Sequence, residues 1–239
     1  MQKRVFLIHG WDGRPDNHWF PYLSLELKAN GFDVSAPQMP HAAEPKVGEW
    51  LSFLREYVGK PDEQTYFVGH SLGCIAIARY LETLSPKSPS SHSPFHKGRG
   101  PLAVRDLKSS ASLPALREQA GEDLGTSPPA NWRAGFKKGG IKVGGCVFVA
   151  GFSGRINVPE IREFYELPFE PAKAKAHCDH FVMIFSDNDE YVPMERSLQM
   201  AKELGGKTIL ERGKGHFGTS DGVTALPSVL NALLKMSSE

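Results

Sequence analysis

One serine, one histidine and a choice of two aspartates are spaced along these 239 residues so as to permit attack of a hydroxyl on a carbonyl. Gly69-His70-Ser71-Leu72-Gly73 is a G-x-S-x-G that follows the β-rich run Tyr66–Gly69 and opens the apolar stretch from Leu72 to Leu84. A serine on so sharp a strand-to-helix turn needs small residues two positions to either side, and glycines 69 and 73 meet that need. The turn lifts the hydroxyl above the carboxyl edge of a sheet and directs the Leu72 amide at the reacting carbonyl. A serine needs a base to take its proton and an acid to orient that base. His216, in Gly213-Lys214-Gly215-His216-Phe217-Gly218, is the candidate base, on a loop whose glycines let it swing over the sheet. Two acids compete, Asp187 and Asp189, in the turn after Phe181–Ser186. Asp189, three residues before Val192-Pro193, is preferred, and the other then bonds the turn, as aspartates do.

Around these stand the supporting candidates. The run Arg4–His9 ends in His9-Gly10-Trp11-Asp12-Gly13, so the Trp11 amide is a second donor, beside that of Leu72, for an oxyanion. Trp11, Phe152, Tyr191 and Phe217 are candidates to line an open pocket for small or medium acyl groups. His9 and His70, each beside a glycine turn, read as structural, and Cys74 as a core thiol. His177-Cys178-Asp179-His180 resembles a metal cluster only in composition. It abuts a strand, where neighbouring side chains point to opposite faces and four contiguous residues cannot converge on one ion. No metal and no cofactor is expected.

Nucleophile, acid and base must be brought together by elements that alternate in period. β-Rich runs at 4–9, 33–36, 66–69, 143–150, 181–186 and 207–211 are nearly continuous in apolar character, as for strands covered on both faces. Helical patterns fall between them at 18–29, 47–58, 72–84, 159–164, 197–204 and 225–236. That alternation predicts an α/β domain: a parallel sheet, right-handed crossovers and helices on both faces. Candidate residues then lie at the carboxyl ends of strands, where such sheets place their sites.

Residues 86–140 interrupt the rhythm. These 55 residues hold 7 Pro, 7 Gly and 8 Ser against 8 Val, Ile, Leu or Phe, and carry a net charge of +5. So little apolar surface does not offset ordering entropy, and the composition predicts a disordered insert in one domain spanning 1–239, with a short helix at 111–120. A small lid domain is the alternative. Elsewhere the composition excludes more than it proposes. The net charge of +1 gives no basic face for nucleic acid, and no apolar run approaches the ~20 residues of a membrane span. The short apolar run before His9-Gly10 is no signal peptide, and three cysteines without a CxxC make no disulfide framework. A soluble protein of a reducing compartment is expected, in the cytoplasm, with nothing against the nucleus.

HGWDG, GHSLG and GKGHF, with HWFPYL at 18–23, VGGCVFVAGF at 143–152 and DNDEYVP at 187–193, resemble the α/β-hydrolase fold. More closely, they resemble the small, nearly lidless serine hydrolases related to retinoblastoma-binding protein nine and its bacterial counterparts. The resemblance covers 1–85 and 141–239 and implies a minimal, mostly parallel six-stranded sheet, no metal, and carboxylesterase-type activity on poorly defined natural substrates. It places the nucleophile on Ser71, the acid on Asp189 and the base on His216. A carboxylic ester is the expected substrate class, with thioesters and amides close behind and a small-molecule acyl compound as partner. Two alternatives use the same residues or fold: acyl transfer to an acceptor other than water, and a non-catalytic binding protein that uses the 86–140 insert or another surface for its partners.

Overall fold

Six strands carry the apolar runs of the sequence: β1 (Arg4–Ile8), β2 (Asp33–Ser35), β3 (Thr65–His70), β4 (Gly145–Val149), β5 (Phe181–Phe185) and β6 (Lys207–Leu210). In the computed structural model, which describes residues 2–84 and 140–238, they form one sheet in the order β2-β1-β3-β4-β5-β6. Every pairing is parallel, so the sheet is wholly and not merely mostly parallel. The inner strands β3, β4 and β5 are buried along their whole length, whereas the edge strands β2 and β6 are short and largely uncovered. That contrast explains why the inner runs read as continuous apolar segments and the run at 33–36 reads as weak.

Side chains alternate between two cores. Phe6, Ile8, Cys146 and Phe148 face one, packed under helices α2 (Val47–Val58), α3 (Leu72–Glu82), α4 (Arg162–Glu166), α5 (Pro171–His177) and α6 (Met194–Leu204). Val5, Leu7, Val147 and Val149 face the other, under α1 (Phe20–Ala29) and α7 (Pro227–Met236). The expected helices are found, with shifted ends. α6 begins at Met194 rather than Ser197 because Pro193, with its fixed φ, serves as the N-cap. α5 is absent from the sequence reading: PAKAKAH buries only Ala174 and His177, too few apolar positions to show a period.

The two described stretches interlock in the middle of the sheet, where β3 pairs β4 from Tyr66↔Gly145 to His70↔Val149. They belong to one compact unit. The expectations for the insert, its disorder and its short helix, fall on residues outside the described ones. Between β1 and β3 the strand order changes direction, since the chain runs from β1 outward to β2 and then returns to β1's other side. Crevices at the carboxyl ends of strands at such a switch point are where open α/β sheets bind ligands.

Candidate active site

Ser71 stands on that crevice, directly after β3. Its φ of 53° and ψ of −117° put a non-glycine residue in a left-handed, strained conformation. Packing enforces it. A Cβ on Gly69 would lie 2.7 Å from the Cys74 amide nitrogen, and one on Gly73 would overlap the Ile8 carbonyl oxygen. The chain can therefore turn this sharply against β1 only with glycine at both places. The Ser71 amide donates to the Val149 carbonyl at 2.8 Å, tying the elbow to β4. The Leu72 amide, first in its helix, and the Trp11 amide donate to no backbone carbonyl among the described residues, so both are free to meet a negative oxygen. Trp11 is held in place by its indole N–H, which donates to the Ala43 carbonyl at 2.9 Å.

The loop carrying His216 is built differently. Its amides at 213, 214, 215 and 216 donate in succession to Asp187 Oδ1 (2.8 Å), Ser186 Oγ (3.0 Å), Asn188 Oδ1 (2.9 Å) and Asp221 Oδ2 (3.0 Å). Asp221 Oδ2 also accepts from the Gly218 amide at 2.9 Å, and the Ser186 hydroxyl donates to Asn188 at 2.7 Å. A loop with three glycines has no helix or strand to satisfy its amides, so external acceptors take them.

Of the two competing aspartates, Asp189 meets the imidazole. His216 Nδ1–H donates to its carboxylate at 2.8 and 3.0 Å, and Asp189 Oδ1 also accepts the Tyr191 and Val192 amides at 2.9 Å each. The Asp189 side chain is 2% exposed and that of His216 18%. Asp187 bonds the Gly213 amide and pairs with Arg212 at 3.1 Å, and these contacts hold its carboxyl below the usual range. With Nδ1 spent on Asp189, Nε2 of His216 makes no hydrogen bond among the described residues.

Two rings flank the imidazole, His70 at 5.0 Å and Tyr191 at 5.1 Å between centroids. His70 Nε2–H donates to the His216 carbonyl at 2.8 Å, linking elbow to loop. Burial, then the neighbouring His216 and His18, push the His70 imidazole well below the usual histidine range. Burial also lowers His9, whose Nδ1–H donates to the Gly10 carbonyl while Nε2 accepts the Met39 amide. His18 is lowered as well, by burial first and by His216 second, and its Nδ1 accepts the Thr219 amide at 2.9 Å. The Cys74 thiol is pushed far up by burial and donates to Val149. In the His177–His180 cluster the contacts diverge: His177 bonds the Ile141 carbonyl, Cys178 lies against Cys146, and Asp179 pairs with Lys142.

Ser71 and His216 line one cleft of about 300 Å³, at the small end for ligand sites. Trp11 and Tyr191 line it too. Phe152 and Phe217 do not, contrary to expectation: both are wholly buried, one in each core, because residues so close to strand ends and so apolar complete the packing first. In their place stand three aliphatic side chains from the segment after β4, Ile156, Val158 and Ile161. The signal for them was Ile-Asn-Val-Pro-Glu-Ile in a connection too short for a cap. The supporting acceptors had a signal as well: Ser186-Asp187-Asn188-Asp189 is four polar residues in a row, opposite a glycine-rich loop.

A wholly parallel sheet in this order, with a strained serine after β3, defines an α/β-hydrolase fold. The chain belongs to the serine hydrolase family, whose profile matches residues 5–90 and 123–235. It is 28% identical over 234 residues to YdeN of Bacillus subtilis (strain 168), named as a hydrolase, covering 98% of this chain and 95% of that protein. To the serine hydrolase RBBP9 of Rattus norvegicus it is 25% identical over 204 residues, 85% of this chain and 80% of the relative. The crystal structure of the ydeN gene product from B. subtilis superposes with a TM-score of 0.73 at 26% identity, covering both chains in full. Est1E from Butyrivibrio proteoclasticus shares the fold at a TM-score of 0.60 and 12% identity, over 100% of this chain and 89% of the other. No helix among the described residues is long and apolar enough to cross a membrane.

Proposed function

We propose that this serine hydrolase cleaves carboxylic esters through an acyl-enzyme on Ser71. One observation carries the reading: His216, bonded to Asp189, and the strained Ser71 line the same cleft. Asp189 holds His216 in the tautomer that leaves Nε2 unprotonated, and Nε2 takes the Ser71 proton as Oγ bonds the acyl carbon. The oxygen, now negative, rests on the amides of Trp11 and Leu72. The carbon–oxygen bond to the alcohol then breaks and His216 returns the proton to the departing alkoxide. Water, activated by the same imidazole, releases the acid and restores Ser71. Trp11 and Tyr191 flank the substrate. Three free, buried thiols suit the reducing cytoplasm.

Treatment with a fluorophosphonate and intact-mass analysis tests the proposal. One adduct is expected on wild-type protein and none on Ser71→Ala, whose hydrolysis of p-nitrophenyl acetate falls to background. The Ser71 hydroxyl makes no hydrogen bond that caps α3, so the variant keeps its melting temperature. An alanine variant that still turned over a few per cent as fast would remove Ser71 from this role.

A further inference from the structure

The two walls of the cleft differ in chemistry, and the proton's path decides which part of a substrate meets each. From the assignment of His216 as the acid that protonates the leaving oxygen, on which this inference rests, the departing group must lie along the His216 loop. Beside that loop stand Ser220, which follows it, and His18, whose Nδ1 accepts the Thr219 amide, with Asn17 next to it, and all three line the cleft. The side chains of Asn17 and Ser220 make no hydrogen bond among the described residues, so their donors and acceptors are open to a ligand. The acyl group must extend the other way, toward Ile156, Val158 and Ile161. These three belong to the core under α2–α6, whereas Trp19 and Phe217, next to the polar wall, belong to the core under α1 and α7. The walls thus come from opposite faces of the sheet.

The aliphatic wall is fixed, not a flap. Arg79, buried on α3, donates to the carbonyls of Phe164 (2.7 Å), Leu167 (2.6 Å) and Pro168 (3.1 Å). Glu163 accepts the Val47 amide at the start of α2, and the Tyr165 hydroxyl donates to the Val158 carbonyl. Ile156, Val158 and Ile161 line the cleft yet are only 6%, 7% and 2% exposed, so packing holds each of them in place. A rigid wall in a cleft of about 300 Å³ limits chain length. Among the lining residues the acids Asp12, Glu190 and Asp221 outnumber the single arginine, Arg14, which disfavours an anionic alcohol.

We infer that the cleft selects esters of a short aliphatic acid with a neutral, hydroxyl-bearing alcohol, the acyl chain on Ile156, Val158 and Ile161 and the alcohol on Asn17 and Ser220.

A two-part ester panel tests this, with fluorophosphonate labelling of Ser71 as an independent check on the underlying reading. Among p-nitrophenyl esters, kcat/KM for butyrate should exceed that for octanoate by about tenfold or more, and Ile161→Ala should move the optimum to longer chains. Among butyrates, the glycerol monoester should exceed the butyl ester by about tenfold, since polar groups left unpaired by the butyl ester are costly. The double variant Asn17→Ala/Ser220→Ala should lower the glycerol ester at least fivefold more than the butyl ester. Labelling of each variant by the fluorophosphonate confirms that it is folded. A labelled Ser71 with equal rates for both alcohols, or with octanoate preferred, overturns the inference and spares the hydrolase reading. An unlabelled Ser71 sinks both.

Discussion

The elbow at Ser71 and the loop at His216 meet across one cleft but are held by opposite means. The elbow is a steric object: its strained φ persists because β1, α3 and β4 leave room for no other path, with glycine where backbone passes backbone. The loop is a hydrogen-bonded object: successive amides are caught by Ser186, Asp187, Asn188 and Asp221. The position of Ser71 is therefore set by volume, and that of His216 by polar geometry. Substitutions that change size should damage one, and substitutions that change hydrogen bonding the other.

The largest effect expected is on the polar side. Asp189→Asn should lower kcat/KM by about 10⁴, near 5 kcal/mol of transition-state stabilisation, because the imidazole then presents the wrong tautomer. Asp187→Asn should cost no more than about tenfold, since it removes one loop tie and a surface ion pair. Steady-state kinetics on one ester decides, and equal losses would erase the distinction between orienting acid and loop tie.

Next comes the steric side. Gly73→Ala should destabilise by more than about 3 kcal/mol, because the new Cβ meets backbone on β1 that cannot yield. Gly213→Ala, at φ 67° but with open space around it, should cost only about 1–2 kcal/mol. Urea titration of the pair measures the gap. Similar values would mean that volume does not govern the elbow.

Asn188→Ala sharpens the comparison further. It strips an acceptor from the Gly215 amide and the Ser186 hydroxyl without touching the imidazole. A fall of about tenfold in kcat with KM nearly unchanged is expected, as for a base that is slightly misplaced. An unchanged kcat would show that the remaining ties suffice.

The smallest effect concerns His70, which belongs to the elbow yet bonds the loop. Its folded-state pKa lies below the ~6.5 of an unfolded histidine, so between those values the unfolded chain binds the extra proton. Stability is then complete above about pH 6.5 and declines as the pH falls, by on the order of 1 kcal/mol from this residue by pH 5.5. Melting curves at pH 7.5, 6.5 and 5.5 should show the decline, and His70→Gln should reduce it, leaving the smaller shares of His9 and His18. The same slope in both proteins would place the acid sensitivity elsewhere.

Much of this was legible in the sequence, and the limits have physical reasons. Strands and helices announce themselves through period, so the six strands were found where apolar runs stood. Ser71 and His216 stand out in the sequence because glycine punctuates their turns. Phe152 and Phe217 misled, because aromatic character near a site does not say which face a side chain takes; only the packing of both cores sends them inward. The polar run 186–189 marks acceptors opposite the glycine-rich loop, but which amide each one takes, Asn188 that of Gly215, is a long-range fact with no local signature. Ile156, Val158 and Ile161 are legible only as part of an apolar connection too short for a cap, and nothing in such a segment tells which of its residues line a cavity.

The pairing of β3 with β4 has a practical side. Residues 2–84 carry Trp11, Ser71 and Leu72, while residues 140–238 carry Asp189 and His216. A chain severed anywhere between would yield two fragments, one holding Ser71 without His216 and the other His216 without Ser71. The parallel ladder from Tyr66↔Gly145 to His70↔Val149 is the seam along which they would rejoin, and the Ser71 amide closes it on Val149. On the esterase reading proposed above, ester turnover would report association, and this small hydrolase would serve as a scaffold for fragment-complementation reporters.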